Sequence, residues 1–163
     1  MTHHMGEILE RISASSICRV NPPDGLPVVP RPLELPHDLV EFYTRCGGVT
    51  LFEGGEFSIR IPAKGEFVPS NLAVIGETGF GDRSDHWFVV GITSDHEYVS
   101  IDLDNSRRGR CYDSFHETHG VVGESRVIAQ SFTDFLTALL SGGGSGWYWL
   151  GPDFPGLGDA YDG

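Results

Sequence analysis

Leu35-Pro36-His37-Asp38-Leu39-Val40-Glu41-Phe42-Tyr43-Thr44-Arg45-Cys46-Gly47-Gly48-Val49-Thr50-Leu51-Phe52 is the stretch on which the fold turns. Its first half has Leu39, Val40, Phe42 and Tyr43 at helical spacing behind Pro36, whose missing N–H costs nothing in a first turn. Gly47 and Gly48 are expected to close the helix in the left-handed conformation. Beyond them the apolar period changes from helical to strand-like, beginning with Val49 to Phe52.

Downstream, Glu56 to Ile61, Leu72 to Ile75, His86 to Ile92, Glu97 to Leu103, Gly109 to Phe115 and Arg126 to Ala129 all read as strands. The loop Asp104-Asn105-Ser106-Arg107-Arg108 reads as a hairpin connection. Ser131 then caps a last helix, with Asp134 three positions on and Phe132, Phe135, Leu136, Leu139 and Leu140 on one face. Upstream, Ile8, Leu9 and Ile12 mark a short amphipathic helix over Met5 to Ser15. The segment 21–36 is rich in proline and should be extended.

Helices at both ends and a run of strands between them predict an α+β fold with a mostly antiparallel sheet, and no internal repeat is visible. Residues 1–140 read as one domain; the Gly-rich and aromatic segment 141–163 is either flexible or docked. Leu39, Phe42, Trp87, Val89, Ile101, Phe132, Phe135 and Leu139 are the expected core.

The chain has 163 residues, enough for one domain with a sizeable core. No apolar run approaches a membrane span. Met1, Thr2, His3 and His4 lack the basic and apolar character of a secretory leader, and Met5 would serve as a start. Cys18, Cys46 and Cys111 are odd in number and scattered, which suits reduced thiols in a cytoplasmic protein. Asp and Glu number 23 against 11 Lys and Arg, a net charge of −12. Such a field repels nucleic acid and anionic membranes and draws in basic partners; it also serves solubility.

The acidic residues concentrate at Glu77, Asp82, Asp85, Asp95, Glu97, Asp102 and Asp104, with Arg83 the sole Lys or Arg among them. These seven are the candidate partner-binding residues. The competing reading is a solvated sheet edge that resists aggregation.

Catalytic patterns are weak. Asp102 to Ser106 begins like a calcium loop, but Arg107 stands where glycine is needed and no glutamate occupies the twelfth position. Gly76 to Asp82 is glycine-rich without the Gly-Lys-Ser/Thr of a phosphate loop; it reads as a turn with positive φ at Gly79 or Gly81. Cys111, His116 and His119 lack a fourth zinc ligand and any Cys-x-x-Cys. Cys46 sits at the wrong end of a helix for an activated thiol. The expectation is no catalytic residue, no metal and no cofactor.

The ordered set of motifs resembles the SMI1/KNR4 (SUKH) family. The carriers are Leu35-Pro36 with its helix and Gly47-Gly48; Ile75-Gly76 to Asp82 followed by Trp87-Phe88-Val89-Val90; Ile101-Asp102 with Gly109-Arg110-Cys111-Tyr112; and Val127 to Leu140. Cys46 stands where the family often has asparagine. The resemblance spans Met5 to Leu140 and implies a twisted, mostly antiparallel sheet flanked by helices. For bacterial members it implies immunity proteins that neutralise toxin domains, many of them nucleases; for fungal members, regulatory proteins. The function expected is non-catalytic binding of a basic protein partner, a cognate toxin domain. The alternatives are a regulatory scaffold and, behind it, a metal-dependent hydrolase.

Overall fold

The computed structural model describes residues 4–162, so the expectation for the leading residues Met1 to His3 lies outside the described part. Helix α1 (Met5–Ala14) buries Met5, Ile8, Leu9 and Ile12, the stripe that its spacing dictates. The segment 21–36 then runs without regular structure to α2 (His37–Arg45). Pro36 stands at the N-cap, and its carbonyl accepts from the N–H groups of Leu39 and Val40.

Gly47-Gly48 does not close α2 in the expected way. Cys46 leaves the helix in extended conformation, with φ −152°. A Cβ on Gly47 would lie 2.3 Å from the Pro22 carbonyl oxygen, and one on Gly48 (φ +110°) would lie 2.6 Å from that of Ile61. The two glycines therefore let three backbones converge, and Asn21 exchanges hydrogen bonds with both.

Seven strands form one sheet in strict chain order: β1 (Arg19–Val20), β2 (Val49–Leu51), β3 (Ile59–Ile61), β4 (Trp87–Thr93), β5 (Tyr98–Asp102), β6 (Cys111–Ser114) and β7 (Val127–Ala129). Every pairing is antiparallel. The last helix, α4 (Phe132–Gly142), starts at Ser131, whose hydroxyl accepts from Asp134 N, and ends at Gly143 in left-handed conformation. The fold is thus α+β, as the sequence predicts.

Both faces of β4 to β6 are buried. One face carries Phe88, Val90, Val99, Ile101, Cys111 and Ile128, covered by α1, α2 and α4. At Gly91 a Cβ would press on Ile59, Val99 and Phe135, so the glycine makes room for α4. The second face carries Trp87, Tyr112 and Val127, covered by loops and by Ala160 and Tyr161 of the C-terminal segment. All eight expected core residues are buried, but Trp87 packs on this second face.

The sequence misreads one element. Leu72 to Ile75 forms no strand; Ser70–Val74 is a short helix, α3. The Pro69 carbonyl accepts from Leu72 N and Ala73 N and so starts the helix. Ser70 and Asn71 are buried while Leu72 and Ile75 are about half exposed, so the apolar run lies at the surface. Strand β1 is too short to carry a pattern. Strand β3 keeps only the end of Glu56 to Ile61.

In the C-terminal segment Trp149 is buried in the helix-side core, and its indole N–H donates to Asp113 Oδ2 at 3.1 Å. Tyr148 OH donates to the Ile128 carbonyl at 2.7 Å. Val127 N donates to Gly158 O at 2.9 Å, so the chain end covers the outer edge of β7. Among the described residues, no helix is long and apolar enough to cross a membrane.

Phe135→Ala should destabilise the protein by about 3–5 kcal/mol, because the buried ring leaves a cavity. Trp149→Ala should cost a comparable amount, which would count the C-terminal segment as part of the core. Chemical denaturation midpoints measure both.

Candidate functional site

The seven carboxylates fall in three places. Asp95 and Glu97 sit at the turn between β4 and β5. Asp102 and Asp104 lie at the other end of those strands. Glu77, Asp82 and Asp85 belong to the loop between α3 and β4.

Asp102 is a correction, since it is fully buried and offers nothing to a partner. It accepts from Arg107 Nε at 3.0 Å, Tyr112 OH at 2.5 Å and Asp104 N at 2.9 Å. Burial, then the adjoining Asp102 charge, pushes the Tyr112 hydroxyl pKa up. Asp104 is partly exposed and accepts from the hydroxyl and N–H of Ser106, which hold its pKa down. Its other oxygen lies 3.1 Å from His86 Nδ1. These bonds make the resemblance to a calcium loop a hairpin-end clamp.

At the opposite end, Glu97 accepts from His116 N at 3.1 Å and lies 2.9 Å from His116 Nδ1. That hydrogen bond raises the His116 pKa. Asp95 and Glu77 are exposed.

Asp82 and Asp85 belong to a closed ring of contacts over the second sheet face. Asp85 accepts from Phe80 N at 3.0 Å, Gly81 N at 2.7 Å and Asn71 Nδ2 at 3.3 Å. Burial works against its charge, but these donors win and its pKa is lowered. The turn needs positive φ at both Gly79 and Gly81. Asn71 Nδ2 also donates to Ser84 Oγ at 3.0 Å, which leaves Asn71 Oδ1 to accept from His119 Nε2 at 2.6 Å. Beyond His119, Tyr161 OH donates to Asp82 Oδ2 at 2.6 Å and lies 3.3 Å from the Gly120 carbonyl oxygen. Trp87 lies beneath, its ring 5.6 Å from His119 and 5.8 Å from Tyr161. Ser100 Oγ donates to Ser70 Oγ at 2.7 Å and lies 2.5 Å from Ser114 Oγ, tying α3 to the sheet.

Sequence reasoning missed Asn71, Tyr161 and the four serines Ser70, Ser84, Ser100 and Ser114. They are isolated polar residues in unrelated segments, and no spacing marks them.

Cys111, His116 and His119 do not converge. Cys111 belongs to the helix-side core, His119 to the second face, and exposed His116 pairs with Glu97. Among the described residues, no three or more His, Cys, Asp or Glu side chains form a group suited to a metal ion. Burial pushes the Cys46 and Cys111 thiols up in pKa, which makes both poor nucleophiles.

Burial lowers the His119 pKa to about 4, against about 6.5 in an unfolded chain. The unfolded state therefore binds the extra proton between those values. Stability contributed by neutral His119 is complete above about pH 6.5 and is lost as pH falls towards 4, on the order of 2–3 kcal/mol. The lowered carboxylates lose their contribution below that window. Denaturation midpoints across pH 4–7 should slope for the wild type and flatten for His119→Gln, which keeps a donor for Asn71.

Comparison with known proteins fits this architecture. The SMI1 / KNR4 family (SUKH-1) profile matches residues 32–138, from the end of the proline-rich segment into α4. Over 156 residues the chain is 45% identical to a Bacillus subtilis (strain 168) protein named "Immunity protein YokJ", covering 96% of this chain and 94% of that one. No solved structure matches. The match runs through α2, the Gly47-Gly48 junction and the antiparallel strands that the motifs marked out, and the chain belongs to the SMI1/KNR4 (SUKH-1) family.

Proposed function

We propose that the chain is an immunity protein: a non-catalytic, cytoplasmic binder that blocks a cognate toxin domain. The observation that carries this reading is the 45% identity, over nearly the full length of both chains, to a protein named as an immunity protein. The net charge of −12 supplies the chemistry. A toxin that acts on nucleic acid presents a basic groove, and an acidic protein that docks there competes with the substrate. It needs no catalytic group, only a stable face of the opposite charge.

Six of the seven candidate carboxylates, Glu77, Asp82, Asp85, Asp95, Glu97 and Asp104, remain as partner-binding candidates, through direct contact or by steering a basic partner's approach. Asp102 is their internal support. Glu77 and Asp95 are exposed, whereas the other four are held by protein groups that fix their orientation. The same acidity disfavours nucleic acid and anionic membranes as partners.

Co-expression with toxin domains encoded in the source genome tests the proposal. The chain should restore growth against one of them; failure against all would defeat it. With that toxin domain, association should slow as salt shortens the screening length below about 10 Å. The double variant Glu77→Lys, Asp95→Lys should associate several-fold more slowly (roughly 3–10-fold), with folding stability within about 0.5 kcal/mol of wild type.

A further inference from the structure

We infer that the toxin domain seats on the outer face of the hydrogen-bonded ring, formed by residues 72–82, 120–124 and 157–162, through a basic protein surface that presents an apolar side chain. The inference rests on the immunity reading above and assigns that reading a place.

Three observations converge on this face. First, six of the ten large hydrophobic residues exposed among the described residues come from these three segments: Leu72, Ile75, Phe80, Val121, Val122 and Leu157. Phe80 is 48% exposed and Val122 73%. Interfaces draw most of their energy from such apolar centres inside a polar rim. Second, the segments contain five carboxylates, Glu77, Asp82, Glu124, Asp159 and Asp162, against one bordering cation, Arg83, which donates to the carbonyls of Ala160 and Asp162. Asp82, Asp159 and Asp162 already accept hydrogen bonds within the protein, and the net negative charge of the face favours a basic partner over a neutral or acidic one.

Third, the three segments are fastened to one another. Asn71 and His119 join the first to the second, Gly123 N donates to Asp159 Oδ2 at 3.1 Å to join the second to the third, and Tyr161 joins the third back to Asp82. A face built from loops would ordinarily lose much of its binding energy in ordering them, and here the bonds are already made. The Asp95–Glu97 turn lacks this combination. Glu97 is taken up by His116, and none of the exposed large hydrophobics comes from residues 93–98.

The test uses the full chain and a catalytically inactive form of whichever toxin domain the wild type neutralises. Three variants are compared: Phe80→Asp, Val122→Asp and Asp95→Lys. All three positions are exposed, and near-UV circular dichroism with denaturation midpoints verifies that each variant folds. Phe80→Asp and Val122→Asp should each raise Kd by about tenfold or more and abolish growth rescue. Asp95→Lys should stay within about threefold of wild type, through association rate alone. Wild-type Kd for both Phe80→Asp and Val122→Asp, or a loss confined to Asp95→Lys, overturns the assignment. So does a wild-type dimer that Phe80→Asp dissolves, since the face would then be a self-association surface. If the wild type neutralises no toxin domain, the immunity reading itself fails, and the variants are not what decides it.

Discussion

The buried amide of Asn71 holds the second face of the sheet together. Its oxygen accepts a hydrogen bond from His119 and its NH2 group donates to Ser84 and Asp85, so one side chain links α3, the acidic loop and the segment after β6. A buried amide left unpaired would cost about 1–3 kcal/mol per group. The loops around it are therefore constrained to the positions that satisfy it. The helix side of the sheet is an ordinary apolar layer, and interdigitating side chains are enough to close it. The opposite side is closed by a small apolar cluster around Trp87 and by hydrogen bonds among Asn71, Ser84, Asp85 and His119, which tie the chain around residues 71–85 to residue 119.

Edges impose the second constraint. An open seven-stranded sheet has two, and an exposed edge is a template for unwanted pairing. Strand β1 is only two residues long and is drawn in by the backbone convergence at Gly47-Gly48. Strand β7 is covered by the chain end, where Val127 bonds to Gly158 and Ala160 to Ser125. The Trp149 indole, anchored on Asp113, holds that covering segment in place. A segment that composition marks as glycine-rich and loose is thus fastened at its aromatic residues, and its own tip returns Tyr161 to the ring over Trp87.

The acidic residues divide their labour accordingly. Asp102 and Asp85 hold the architecture: one clamps Arg107 and Tyr112, the other gathers the N–H groups of the glycine turn. On the proposed reading, the exposed carboxylates would act at a distance, because opposite fields guide encounter before contact.

The sequence by itself determined the class of fold, the order of its elements apart from α3 and β1, and the helix-side core. Those features rest on local periodicity, which Leu39, Phe42, Phe132 and Phe135 express without reference to anything distant. The seven carboxylates were legible as a charge run, yet their fates were not. Asp102 and Asp95 look alike along the chain, and only pairing with Tyr112 and Arg107 takes the first out of solvent. Leu72 to Ile75 looked like a strand because its side chains are apolar and branched; Pro69 and the polar needs of Ser70 and Asn71 made it a helix with its apolar side outward. Only the tertiary structure decided that His119, Asn71, Asp82 and Tyr161 stand together, because residues from four segments meet there and no period in the sequence records a contact made across 48 or 79 positions.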